Sequence, residues 1–240
     1  MGANDDAVVT QMQEIVECWR AEADQRSVFL GCYEMMTRNM LDALGRSEFR
    51  DNPWVDRLLH RFADYYFEAL RIYERAPHAV PLVWRLAHDA ARDPEASALQ
   101  RLLLGVNAHI NYDLVLTLVE LLDPTWAALP DEARCTCRAD YDAVNEIIAR
   151  TIDAVQDTVL EPAMPELDSV DNLLGPVDEL LTSRLVTHWR DRVWEHAERV
   201  LATTDSAERL RVVRDVEANA LRLADAIIRR DLATAIRELV

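Results

Sequence analysis

The chain contains no lysine. All 26 of its basic residues are arginine, which excludes a Schiff-base lysine and the lysine of a phosphate-binding loop. Glycine is scarce, with 5 in 240 residues, leaving little material for the turns of a many-stranded fold. Cysteine is sparse too: Cys18, Cys32, Cys135 and Cys137. Cys135-Thr-Cys137 lacks the two-residue gap of zinc and redox motifs, and no second pair completes a site, so the four read as free thiols. Also missing are a glycine-rich nucleotide loop, a Gly-x-Ser-x-Gly elbow and a His-Glu-x-x-His helix. The first residues, MGANDDAVV, do not have the basic-then-apolar build of a signal peptide. Asp6 breaks the myristoylation pattern. A cytoplasmic location is the expectation.

What is present is acid and hydrophobic surface. Half of the residues are hydrophobic, and 43 acidic against 26 basic residues give a formal net charge of -17. That charge argues against nucleic acid, whose phosphates need basic partners, and against anionic membranes. A small molecule is the partner that composition leaves open, while the oligomeric state is not written in the sequence.

Apolar residues recur at three and four residues almost everywhere and nowhere at two, which predicts an all-α fold. The reading is a single domain of seven to nine helices around a buried central helix at about 96–122, with 205–240 a possible satellite. The first helix runs over about 5–23, on a stripe of Val8, Met12, Ile15, Val16 and Trp19. Ser27 caps a second to about residue 44, where Gly45 ends it, and its Phe29, Tyr33, Met36 and Met40 read as core. Asn52-Pro53 starts a third, with Asn52 the cap and Pro53 in the first turn. A shorter fourth covers 81–92, and Asp123-Pro124 closes the central helix. A long one follows Leu129-Pro130 to about residue 160, burying Tyr141, Val144 and Ile147. Residues 161–165 are irregular, and the next helix restarts near Gly175-Pro176. Asp205, with Glu208 as capping-box partner, opens the last long helix, and a short extension follows Asp231.

The central run, LLLGVNAHINYDLVLTLVELL at 102–122, is apolar almost throughout but carries Asn107, His109, Asn111 and Asp113. Its length would cross a membrane, but four polar residues at its centre favour a buried core helix. Buried polar groups cost free energy unless each finds a partner. At 3.6 residues per turn, Gln100, Asn107 and Asn111 share one stripe. His109, Asp113 and Thr117 share a roughly opposite one. The second stripe is either a carboxylate-oriented imidazole for acid–base work or a satisfied internal network.

Further candidates lie outside this helix. Asp56 and His60, four apart, would complete a divalent-metal set with His109 and Asp113 if the two helices packed side by side. Arg184, His188 and Arg192 stack at intervals of four and can clamp an anion, or pair with Asp191 and Glu195 on a solvated face. Trp84, Tyr112 and Trp126 are candidate pocket walls.

The segment 84–113 resembles a bacterial family of all-helical proteins of unknown function, common in actinobacteria. The resemblance rests on the string Leu-Leu-Leu-Gly-x-Asn-Ala-His-Ile-Asn-x-Asp-Leu at 102–114, with 141–145 and 189–194 also similar. It implies the helical fold and singles out Asn107, His109, Asn111 and Asp113, and it carries no reaction. In that comparison His88 stands where a large apolar residue is expected, so it is set aside as a site residue.

The functional expectation is an enzyme that cyclises, isomerises or eliminates a largely apolar metabolite. His109, Asp113, Asn107 and Asn111 would be catalytic, Arg192, His188, Tyr112 and Trp84 would bind substrate, and no cofactor is needed. The alternatives are a metal-dependent hydrolase on His109, Asp113, Asp56 and His60, and a non-catalytic binding or interaction protein.

Overall fold

The computed structural model of the chain describes residues 3–155 and 183–229. Among them every regular element is helical. The helices are α1 (Ala3–Ala21), α2 (Arg26–Gly45), α3 (Asn52–Arg75) and α4 (Leu82–Arg92). They continue as α5 (Ala98–Trp126), α6 (Asp131–Val155), α7 (Ser183–Ala202) and α8 (Ser206–Ile228). The irregular stretch at 161–165, the restart at Gly175-Pro176 and the extension after Asp231 lie outside the described residues.

Helix ends depart from the expected positions by up to four residues, for local reasons. Ser27 does not cap α2; it is buried inside it. Asp24 does the work instead, accepting from the Arg26 backbone N–H at 3.0 Å and clamping the Arg26 guanidinium. The cap of α3 is Asp51, which accepts from the Trp54 N–H, so Asn52 and Pro53 are already helical. Asn52 turns back and donates to the Leu44 carbonyl. Pro124 does not stop α5 but sits within its last turns. Asp205 caps α8 by accepting from the Glu208 N–H.

Helix α5 runs through the middle of the bundle. Its membrane-length apolar window is 67% buried inside the protein. Its first half, with Leu103, Leu104 and Ala108, joins a core built with α1, α2, most of α3, α4 and α8. Its second half, with Leu114, Val115, Leu118 and Leu122, joins a core with α6, α7 and the start of α3. Between the two halves, Ala108–Asp113 forms a π-helical turn. Such a turn widens the helix by one residue, and π turns are frequent at functional sites. Helix α8 contributes Ala220, Leu223, Ala224 and Ile227 to the first core.

Candidate functional site

The two polar stripes of α5 have different fates. Gln100 donates to the carbonyls of Ile227 and Ile228, and Asn107 donates to that of Ala220 at 2.8 Å. Asn111 donates to Asn107 Oδ1. Gln100 and Asn107 thus fasten α5 to α8. Asn111, tied to Asn107, lines a second cavity and not the one that His109 lines.

The opposite stripe is not satisfied. His109, 3% exposed, sits on the π turn with Nδ1 3.2 Å from Asp113 Oδ2. Asp113, 2% exposed, also receives the Trp84 indole N–H at 2.9 and 3.0 Å on its two oxygens. Thr117 spends its hydroxyl on the Asp113 carbonyl. The Phe62 ring stacks on the imidazole at 3.6 Å, and Tyr33 meets it edge-on at 4.3 Å. With the ring so fixed, its Nε2 is buried and has no partner among the described residues.

Burial pushes His109 well below the usual imidazole value. It drives Asp113 well above the usual carboxylate range, against the opposing Trp84 hydrogen bond and with Glu68 adding to the rise. Both groups are thus held toward their uncharged forms. A neutral acid that donates its O–H to Nδ1 puts the ring hydrogen on Nε2; the other tautomer puts it on Nδ1 and leaves Nε2 a lone pair. In each case Nε2 finds no partner among the described residues.

His109 is one of the residues lining a cavity of about 200 Å³. Phe29, Tyr33, Met36 and Met40 of α2, read from the sequence as core, form one side; Val144 and Ile147 of α6 form another. The wall also holds Cys32, whose thiol burial pushes up to about 12. A thiol so far from ionising is no nucleophile.

One charged side chain lines the cavity as well: Arg190 of α7, 4% exposed. Its Nε donates to Asn145 Oδ1 at 2.8 Å, its Nη2 to the Tyr141 carbonyl at 2.6 Å, and its guanidinium lies 4.1 Å over the Tyr141 ring. The sequence reading missed it. It settled on Arg192, one stripe away, whereas Arg190 stands on the apolar side of α7 beside Trp189 and Val193, both 2% exposed. A charge interrupting an apolar stripe was the available signal.

The other expected site residues lie elsewhere. Trp84 does not touch the cavity; it holds Asp113. Trp126 packs near Trp194 in the second core, and Tyr112 is only partly buried beside it. Arg192 lines a separate cavity of about 320 Å³ with Asn111, His196 and Asn219. There His196 donates from Nδ1 to the Arg192 carbonyl and accepts from Asn219 at Nε2, so its ring is fully engaged. His188 lines neither cavity, and the side chain of Arg184 lies outside those described. The metal set does not form. His60 donates to the Asp56 carbonyl at 2.9 Å. Among the described residues no three His, Cys, Asp or Glu side chains converge as ligands.

No curated protein and no solved structure matches the chain. A family model does, over residues 6–230, and it is described as a family of unknown function, DUF5995. The match takes in the eight described helices almost end to end, with both cores and the His109 cavity, so the chain belongs to the DUF5995 family.

Proposed function

We propose that the chain is an enzyme that moves a proton on a small, largely apolar molecule held in the cavity. The observation that carries this reading is a cavity-lining imidazole, His109, whose buried Nε2 has no partner among the described residues and whose Nδ1 meets Asp113. His109 Nε2–H gives its hydrogen to an oxygen of the bound molecule while Nδ1 takes the Asp113 proton. The carboxylate so formed is held by Nδ1–H and by the Trp84 N–H. Nε2 now has a lone pair and accepts a proton from a neighbouring position on the molecule. Passing a proton back from Nδ1 to Asp113 restores the start. One proton leaves the ligand and one arrives, which is an isomerisation; departure of a group from the intermediate makes it an elimination, and ring closure a cyclisation.

Incubation in D₂O with a small-molecule extract of the producing cells tests this, read by mass spectrometry. Some molecule gains deuterium with wild type and none does with a folded His109→Gln protein, whose amide donates but cannot relay. A second reading, a binding protein without turnover, is favoured by how apolar the rest of the wall is. It predicts a retained molecule and no deuterium in it.

A further inference from the structure

The cavity wall holds a cation with no carboxylate in contact among the described residues. The acids beside Arg190 and beside its partner Tyr141 in the chain make their contacts elsewhere. Asp142 and Asp191 both pair with Arg138, at 2.8 and 2.5 Å. Asp140, 2% exposed, accepts the backbone N–H groups of Arg50 and Asp51. Among the described residues no carboxylate pairs with Arg190, and its Nη1 makes no hydrogen bond. Its partners are an amide oxygen, a carbonyl and an aromatic ring. They orient the guanidinium, and Asp142 and Asp191 act on it only from a distance, from their pairs with Arg138. In a chain with 43 acidic and 26 basic residues, a buried arginine with no acid in contact among the described residues does not reflect a shortage of acids. Buried cations call for an anion, and here the open side of the guanidinium is the cavity.

From this we infer that the ligand of the His109 cavity is an amphipathic carboxylate. Its carboxylate is taken by Arg190, its apolar body lies along the α2, α3 and α6 walls, and an oxygen of it comes within reach of His109. This rests on the proposed site and names its ligand class. One cation fits a monoanion, and the planar guanidinium fork matches a carboxylate. A cavity of about 200 Å³ is somewhat larger than the roughly 150 Å³ that encloses a benzene ring. A medium-chain or one-ring acid has that size.

Octanoate, 1-octanol and octylamine, titrated into the full chain, share one tail and differ in the head. Trp189 on the cavity wall gives a fluorescence signal, and calorimetry gives the affinity. Octanoate should bind at least tenfold more tightly than octanol, with octylammonium weakest. Arg190→Met should remove that tenfold preference while octanol binds within about twofold of wild type. Arg190→Lys keeps the charge without the fork and should retain part of the preference, which serves if the Met variant does not fold. Equal binding of octanoate and octanol to wild type would overturn the carboxylate and leave the acid–base cavity standing. Tighter binding of octyl phosphate than of octanoate would also overturn it. If no probe binds, the cavity reading falls with it.

Discussion

At the scale of single residues, His109 is surrounded by what holds a neutral imidazole still: a stacked phenyl ring, a tyrosine edge and one acid. Trp84 is the remote member of this group, 29 positions before Asp113 in the chain. Trp84→Phe keeps the ring and removes the N–H. It should lower unfolding free energy in urea by about 1–3 kcal/mol, the cost of a stranded buried acceptor. A loss near zero would show that Asp113 does not depend on it. The pairing of His109 with Asp113 was legible because it is written within one helix turn. Trp84 and Arg190 were not, because the contacts that give them meaning are made across the bundle. Arg190 carried only a faint mark, a charge on an apolar stripe.

Helices carry the next level. Asn107 and Gln100 show that a polar stripe on a core helix can be a fastener, and the sequence alone does not separate this from a pocket wall. Asn107→Ala should cost about 1–3 kcal/mol, since the Ala220 carbonyl and the Asn111 amide both lose a partner. Unchanged stability in thermal and urea unfolding would contradict the fastening role. Gly105 makes a second close approach, between α5 and α2. A Cβ there would stand 2.7 Å from the Phe29 ring. Gly105→Ala should therefore destabilise, overpacking of about 1–3 kcal/mol outweighing a helix-propensity gain of about 1 kcal/mol. A more stable variant would mean that Phe29 yields into the cavity at no cost. Periodicity made the helices themselves readable. Their ends were less so, because Asp51 and Asn52 are equally good caps and only the Trp54 N–H decides between them. The π turn at Ala108–Asp113 leaves no mark in the apolar pattern, since one extra residue per turn still lands on apolar neighbours.

For the whole molecule, the all-helical single fold was legible in the scarcity of glycine and the constant spacing of three and four. The cavity was not, because its wall is assembled from five helices far apart in the chain. Acid response belongs to this scale. His88 is 4% exposed between Tyr73 and Trp84, and burial together with Arg26 and Arg92 lowers it from 6.5 to about 3. The unfolded chain takes up that proton below about 6.5 and the folded one does not, so stability present above 6.5 is lost as pH falls. Wild type should lose about 2 kcal/mol more than His88→Phe between pH 7 and pH 5. Parallel losses in the two proteins would contradict this. His109 and Asp113 act in opposite senses over the same range: acid penalises the buried imidazole and favours the buried carboxylic acid, so their pair adds little slope.

The most direct measurement of the central claim is ¹⁵N NMR of the chain labelled at histidine, followed from pH 8 to pH 5 with and without octanoate. The account predicts that His109 stays neutral across this range, with hydrogen on Nε2 and Nδ1 accepting from Asp113. It predicts further that octanoate moves the His109 Nε2 resonance. An imidazole that titrates near 6.5 and ignores the ligand would contradict it.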